Sequence, residues 1–454
     1  MKHYETQYEK MTQAPVPELV VRLGIPTTIS MMVTAIYNLA DTFFVGQLGN
    51  SASAAVGVVF SYMAVIQAVG FMFGQGCGSN ISRLLGAKQN DRASVFASSG
   101  IFGALGTGLV IFILVSIFKS DLIWLLGSTD TVFPYADDYL TFIAWAAPFT
   151  MGSFVLNNIM RFEGKANLSM IGLLAGAILN MALDPLLIFV FDMGIAGAAI
   201  ATSISQTVSF FILLSMFARK KTDCRLSFSL VSRDIRDWGN IIGTGLPSLI
   251  RQSMGSISTM ILNWQVKVFK DAAMAAMSIV TRVNMLIFSA GLGIGQGFQP
   301  VCGFNYGAKK YSRVRQAYDF TVRIAMALIA VISILCGIFA PSVISVFRND
   351  PDVIDVGTLA LRVQCISLLV MPIMVITNMT LQSTGQKIAA TFTSMLRSGL
   401  YFIPVLLLLS YFFGLTGIQV AQAIADVMAV LTCIPIIMRF FAKMPQDEAV
   451  AENG

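Results

Sequence analysis

The sequence predicts an all-α integral membrane protein, with twelve transmembrane helices in two six-helix bundles related by a parallel pseudo-twofold repeat. Three observations predict it. Hydrophobic residues make up 56% of the 454 and charged residues 12%, with a mean hydropathy of +0.75; a soluble domain carries roughly 25% charged residues. The apolar residues gather into about twelve blocks, each near or above the ~20 residues that cross a hydrocarbon core of ~30 Å. The two halves of the chain repeat one another at an offset of about 221 residues. This composition excludes a soluble enzyme, a disordered chain and a nucleic-acid binder. The net charge of +6 and the pI near 9.0 arise from basic residues in short loops between apolar blocks, as in a polytopic membrane protein.

The first residues, Met1 to Pro15, are polar and lack the pattern of a signal peptide, so the first apolar block is expected to remain as a span. The spans are read at about 17–45, 53–82, 92–118, 137–161, 167–190, 194–218, 239–267, 272–303, 315–342, 355–384, 388–412 and 415–441. Several exceed the minimum length and are expected to tilt or project. Half-polar stretches at 119–136 and 343–354 read as interfacial helices. Of the 30 basic residues, about 22 fall on the side of the termini and about four opposite. Arg83, Lys88, Arg92, Lys309 and the run Arg219-Lys220-Lys221 are on the rich side, which places both termini in the cytoplasm.

In the repeat, Gly24-Ile25-Pro26 meets Gly245-Leu246-Pro247, and Gly74-Gln75-Gly76 meets Gly295-Gln296-Gly297. Likewise Gly86-Ala87-Lys88 meets Gly307-Ala308-Lys309, Asn157 meets Asn378, and Gly164 meets Gly385. One residue later in phase, Gly197 and Ala201 meet Gly417 and Ala421. Six spans per repeat is an even number, so the halves share one orientation, the parallel-repeat plan of some secondary transporters. The expected division is an N-terminal lobe at 1–218, a polar cytoplasmic linker at 219–238 and a C-terminal lobe at 239–454.

Ionisable residues within spans carry the chemistry, because a charge at mid-bilayer costs about 2.5–3.5 kcal/mol even on insertion scales. Three acids lie well inside: Asp41 on the first span, Asp184 on the fifth and Asp426 on the twelfth. Tyr37 precedes Asp41 by four and Asn180 precedes Asp184 by four, so each pair shares a helix face. Pro185 removes an amide donor beside Asp184 and favours a bend. Thr202 and Ser203 on the sixth span offer hydroxyls. Asp41, Asp184, Asn180, Thr202 and Tyr37 together supply oxygen ligands suited to a proton or Na⁺, with Na⁺ falling to Asp41, Asn180, Asp184 and Thr202. Two acids at similar depth in one lobe form a workable proton switch. For Asp426 both helix packing and an ionic role stay open, and Arg251 and Gln252 either line a pocket or join helices.

Other signals are weaker. Six scattered cysteines without a C-x-x-C read as free thiols, and the single histidine, His3, leaves no histidine for a metal site or a triad. The run Gly291-Leu292-Gly293-Ile294-Gly295-Gln296-Gly297 lies inside an apolar span with no strand before it, so it reads as close helix packing. No G-x-x-x-x-G-K-[ST] occurs, and no cofactor is expected beyond the coupling ion. The glycosylation patterns at Asn167 and Asn378 sit in or beside spans. The 25 methionines suit an adaptable pocket or packing.

At this point the chain resembles the multidrug and toxic compound extrusion (MATE) family, bacterial multidrug efflux transporters among them. The resemblance covers nearly the whole chain. It rests on the two equal lobes, the opening L-G-I-P, then Y-N-L-A-D-T-F-F-V-G-Q-L-G, R-L-L-G-A-K answered by F-N-Y-G-A-K, and N-M-A-L-D-P. It implies two six-helix bundles forming a V around a central cavity. It also implies export of amphipathic, often cationic organic compounds driven by H⁺ or Na⁺ entry. By resemblance, an acid on the first span and an Asn–Asp pair on the fifth couple the ion, here Asp41, Asn180 and Asp184, with Tyr37 and Thr202 as companions. Asn157, Asp41 and Asn180 are then the candidate contacts with cargo. Some relatives use acids on the seventh and tenth spans for Na⁺; this chain has none in those interiors, so coupling is expected in the N-terminal lobe.

The expected protein is therefore a secondary active antiporter for organic cations rather than an enzyme, monomeric, in the bacterial inner membrane, with small organic cations and lipids as partners and no nucleic acid. A flippase for lipid or lipid-linked oligosaccharide of the same superfamily is the alternative, although the intramembrane basics, Arg251 and Arg282, are few for phosphate headgroups. A channel would place charged rings in both lobes, and a membrane enzyme would show a nucleophile or metal constellation.

Overall fold

The computed structural model describes residues 6–269 and 271–447; His3 lies outside them. Among these residues every regular element is helical. The first set is α1 (Gln7–Gln13), α2 (Val16–Gly46), α3 (Asn50–Gly86), α4 (Asn90–Ile117), α5 (Lys119–Leu125), α6 (Phe133–Phe162), α7 (Ala166–Pro185) and α8 (Gly194–Ala218). The second is α9 (Ile235–Val266), α10 (Asp271–Gly307), α11 (Tyr311–Ile338), α12 (Ala340–Phe347), α13 (Pro351–Leu368), α14 (Met371–Ser383), α15 (Lys387–Met395) and α16 (Phe402–Ala442). Short π-helical segments follow α7 at Leu186–Val190 and α15 at Leu396–Tyr401.

Nine helical runs of the described residues are long and apolar enough to cross a membrane, or ten when α13 and α14, bent by 50°, form one broken span. The 56-residue run Lys387–Ala442 holds two spans, because Gly414, at φ 57° and ψ −131°, breaks the helix inside it. α9 is 32 residues long but carries Arg251, Gln252 and Asn263 along its length, which lowers its apolar content. With these the spans number twelve and follow the apolar blocks to within a few residues. The half-polar stretch 119–136 holds the short helix α5, whereas α12 starts at Ala340, three residues before the stretch 343–354, and ends inside it. Large apolar side chains stand exposed along α11 (Val331, Ile334, Leu335), as on a surface solvated by lipid.

The repeat is visible in the backbone. Left-handed residues recur in pairs: Lys88 with Lys309 (φ 58° and 59°), Gly164 with Gly385 (78° and 81°), and Gly194 with Gly414 (53° and 57°). Asn157 Nδ2 donates to the Ser169 carbonyl at 2.9 Å, and its counterpart Asn378 donates to the Ala390 carbonyl at 2.7 Å. The same amide thus ties the fourth span of each repeat to the start of the next.

The chain forms two compact units, Ile29–Leu249 and the residues up to Thr28 together with those from Ile250 onward. These differ from the expected lobes 1–218 and 239–454 by the first part of α2 and the first part of α9. Glycine explains the difference. In the first unit a Cβ on Gly76 of α3 would fall 2.0 Å from the Ile241 carbonyl of α9, and one on Gly245 would fall 1.9 Å from the Met72 carbonyl. In the second, a Cβ on Gly297 of α10 would fall 2.4 Å from Cα of Gly24, and one on Gly293 2.4 Å from Cα of Thr28, whose neighbour Thr27 donates to the Gly293 carbonyl at 2.7 Å. Backbones at this distance leave no room for a side chain, which is what the glycine-rich stretch of α10 supplies.

The connection between α8 and α9 is sewn onto the unit Ile29–Leu249. Ser94 and Ser98 of α4 accept the amides of Arg225 and Ser227, and Ser99 accepts that of Ser232. Arg92 pairs with Asp237 at 2.8 Å. Glu163, fully buried at the end of α6, accepts the amides of Asp223 at 3.0 Å and Cys224 at 2.9 Å and lies 3.6 Å from Lys165 Nζ. Burial pushes the Glu163 carboxyl up to about 7, and Asp223 adds to the push while Lys165 and the two amides oppose it. All six cysteines are free, as expected, and burial holds the Cys224 thiol well above its ordinary range.

Two outcomes are expected. Gly76→Ala and Gly297→Ala should each destabilise the purified protein by about 1–3 kcal/mol of overpacking, seen as a lower melting temperature; an unchanged melting curve would contradict the close-packed crossing. For Glu163, folding raises the carboxyl from 4.5 to about 7, so its contribution is complete at pH below the lower value and is lost as the pH rises through the higher. Wild type should lose stability relative to Glu163→Gln across that window, and parallel pH profiles would refute the assignment.

Candidate ion-coupling site

Three helices of the unit Ile29–Leu249 build the site. On α2, Tyr37 and Asp41 lie one turn apart, and on α7 so do Asn180 and Asp184. Proline at 185 ends the regular turns of α7: it offers no amide to the carbonyl four residues earlier, and the chain widens into the π-helical segment, closed by Phe191 N–H to the Leu186 carbonyl at 3.0 Å. Gly197 of α8 packs directly on that segment, where a Cβ would fall 2.8 Å from the Leu187 carbonyl. This contact brings Thr202 of α8 to the face of α7 that carries Asn180.

Asn180 Nδ2 is the junction. It donates to Asp184 Oδ1 at 3.2 Å and to Thr202 Oγ1 at 3.2 Å, which uses both hydrogens of the amide. Tyr37 and Gln206 face one another across the lining of one cavity, and Tyr37 lies within electrostatic reach of both Asp41 and Asp184, as does the buried Tyr139 of α6. The two carboxyls also feel one another's charge. Asp184 is fully buried and Asn180 3% exposed, while Asp41 is partly exposed. A small cavity of about 30 Å³ opens beside them, lined by Tyr37, Asn180, Thr202 and Gln206 among others; that is room for a water or a desolvated ion.

Three buried acceptor oxygens at this site have no hydrogen-bond partner among the described residues: Asp41 Oδ1, Asp184 Oδ2 and Asn180 Oδ1. Unpaired buried acceptors are rare because each forfeits its hydration. Each lacks a donor, which a water, a proton held on a carboxyl or a cation would supply. With Thr202 Oγ1 they form an oxygen donor set of the kind that hard monovalent ions take.

The five residues read from the sequence as ion-coupling, Tyr37, Asp41, Asn180, Asp184 and Thr202, are therefore brought together. Asn157 is not: it is 4% exposed, its amide is committed to Ser169, and it lies one turn along α6 from Ser153 and Phe154, which do line the cavity. Gln206, Ser205 and Ser209 were missed. Their signal was present, since Thr202, Ser205, Gln206 and Ser209 repeat at helical spacing along α8. Arg251 of α9, open between pocket and helix contact, donates to Asn378 Oδ1 at 3.1 Å and so joins two helices of its unit.

Comparison with known proteins gives a consistent picture. The model of the MatE family matches residues 26–186 and 247–408, one match in each repeat. The multidrug export protein MepA of Staphylococcus saprophyticus is 30% identical over 96% of each chain, and MepA of Staphylococcus aureus is 28% identical over 97% of this chain and 98% of its own. Among solved structures, an outward-facing multidrug resistance MATE transporter of the MOP superfamily superposes with a TM-score of 0.92 at 26% identity, over 97% of this chain and 99% of that one. A twelve-span chain with an internal repeat, matched twice by one family model, belongs to the MATE family of multidrug efflux transporters.

Proposed function

We propose that the protein is a secondary active antiporter that exports amphipathic, often cationic organic compounds by alternating access, driven by inward movement of H⁺ or Na⁺. The observation that carries this reading is the set of orphaned oxygens on Asp41, Asp184 and Asn180. Each H⁺ or Na⁺ entering from outside offsets one carboxylate charge and supplies a donor or ligand the site lacks. The same step removes the charge that holds an organic cation, so cargo and ion compete for one pair of acids. A ligand shifts a conformational equilibrium only by its differential affinity for the two states. Competition at Asp41 and Asp184 provides that differential, and the bend after Pro185 is where α7 yields.

Asn180 lines the cavity, Asp41 lies one turn beyond Tyr37, which also lines it, and these two are the cargo contacts in this proposal, whereas Asn157 acts on the cavity through the junction of α6 and α7. The role is that of a transporter with no catalytic step and no cofactor beyond the coupling ion. The basic loops support placement in a bacterial inner membrane with both termini in the cytoplasm, and the proposed unit of transport is a monomer.

The test is efflux from proteoliposomes with the pH and Na⁺ gradients imposed separately, using a fluorescent organic cation. Asp41→Asn should lower gradient-driven efflux about five- to hundredfold, the usual range of coupling between sites, while the protein elutes as a folded monomer. Undiminished efflux would refute the assignment. Headgroup-labelled lipid crossing the bilayer in place of the cation would instead favour a flippase.

A further inference from the structure

The repeat allows equivalent positions of the two halves to be compared. The left-handed glycines fix the register, Gly164 with Gly385 before α7 and α15, and Gly194 with Gly414 before α8 and the second span of α16. In that register Gly176 answers to Arg397, Thr202 to Gln422 and Gln206 to Asp426. Gly176, Thr202 and Gln206 line the cavity beside Asn180. Their three counterparts close on one another instead. Arg397 Nε donates to Asp426 Oδ1 at 2.8 Å, Gln422 Nε2 donates to the same oxygen at 2.7 Å, and Ser367 Oγ donates to Oδ2 at 3.3 Å.

Both oxygens of Asp426 are thus partnered, in contrast to Asp184. Asp426 is 2% exposed, and the Arg397 guanidinium lies 4.5 Å from the ring centre of Phe288. Arg397 leaves the chain within the π-helical segment Leu396–Tyr401. A helix-packing role for this acid needs only a hydrogen bond, and a neutral amide would serve. A buried acid matched to a partly buried cation, its side chain 14% exposed, at positions whose counterparts border an open cavity in the sister repeat, has a more specific meaning.

We propose that Arg397 is a tethered cation: it fills, in the C-terminal repeat, the place that the N-terminal repeat leaves open for an exchangeable ion, and so confines ion exchange to Asp41 and Asp184. The inference rests on the coupling role proposed above for those two acids. Its physical content is that Asp426 belongs to a latent cation site whose occupant is covalently attached. Taking the side chain away leaves a buried carboxylate with space beside it, and such a charge is strongly unfavourable until a cation or proton arrives.

The experiment follows thermal unfolding of the purified full-length protein in NaCl against choline chloride, and with millimolar methylguanidinium. The background is Asp41→Asn/Asp184→Asn, in which the proposed N-terminal site is silent. In that background the melting temperature should not respond to Na⁺. Adding Arg397→Ala should lower it and create a cation-specific rise, by Na⁺ or methylguanidinium, of about 2–4 °C or more. Adding Asp426→Asn should abolish that rise, and Arg397→Lys in place of alanine should not create it. An Arg397→Ala protein that loses stability without gaining any cation response would overturn the inference, as would a response that survives Asp426→Asn. A Na⁺ response as large as wild type in the starting background would instead overturn the role of Asp41 and Asp184. If Arg397→Ala does not fold, Arg397→Ala/Asp426→Asn decides: recovery of a folded protein supports a charge-matching role, and failure to recover makes Arg397 a packing residue and refutes it.

Discussion

The interaction on which the site depends is a shortage of hydrogen-bond donors. Asn180 has two amide hydrogens, and both are spent, one on Asp184 and one on Thr202. Three further acceptor oxygens at Asp41, Asp184 and Asn180 are buried with nothing among the described residues to satisfy them. In a low-dielectric interior this shortage is expensive, and a carboxylate cannot relieve it by rotating, since it offers only acceptors when ionised. A proton or a cation relieves it directly. In the function proposed above, an ion meets this shortage, and a cationic cargo that needs the same carboxylates competes with it.

The scaffold that presents the site is made twice, and its copies have been finished differently. Backbone geometry at Gly164 and Gly385, and at Gly194 and Gly414, is nearly identical, as are the amide ties of Asn157 and Asn378. The fillings diverge. One repeat keeps small and polar residues, Gly176, Thr202 and Gln206, around a cavity; the other carries Arg397, Gln422 and Asp426 in a closed network. Small residues also set the packing, because the crossings at Gly76 with Gly245 and at Gly24 with Gly297 exist only where no Cβ intervenes.

Much of this was legible in the sequence, and the limits are physical. Apolar blocks of span length, separated by basic loops, marked twelve helices with boundaries within a few residues, because the bilayer imposes its own length scale. Asp41 and Asp184 stood out because charges are rare inside spans, and the four-residue spacing gave Tyr37 and Asn180. The last two spans, read at 388–412 and 415–441, are separated where the chain leaves the helix through the left-handed Gly414. The lobe boundaries were less legible: the first parts of α2 and α9 pack with the units of Gly293–Gly297 and Gly76, a consequence of glycine-to-glycine contacts distant in sequence. Gln206 was missed because an uncharged amide in a serine-containing helix carries no obvious penalty, and the pairing of Arg397 with Asp426 could not be read because the two are brought together only by the fold around the Leu396–Tyr401 segment.

The most direct measurement is of the ion exchanged when cargo binds to the purified protein, by calorimetry in buffers of differing protonation enthalpy and at differing Na⁺ concentration. Binding of an organic cation is expected to release protons or Na⁺, with cargo affinity falling as the released ion is raised, and both effects are expected to vanish in Asp41→Asn/Asp184→Asn. Cargo binding that releases neither ion, or an exchange that persists undiminished without the two carboxylates, would contradict the claim that ion and cargo contend for one site.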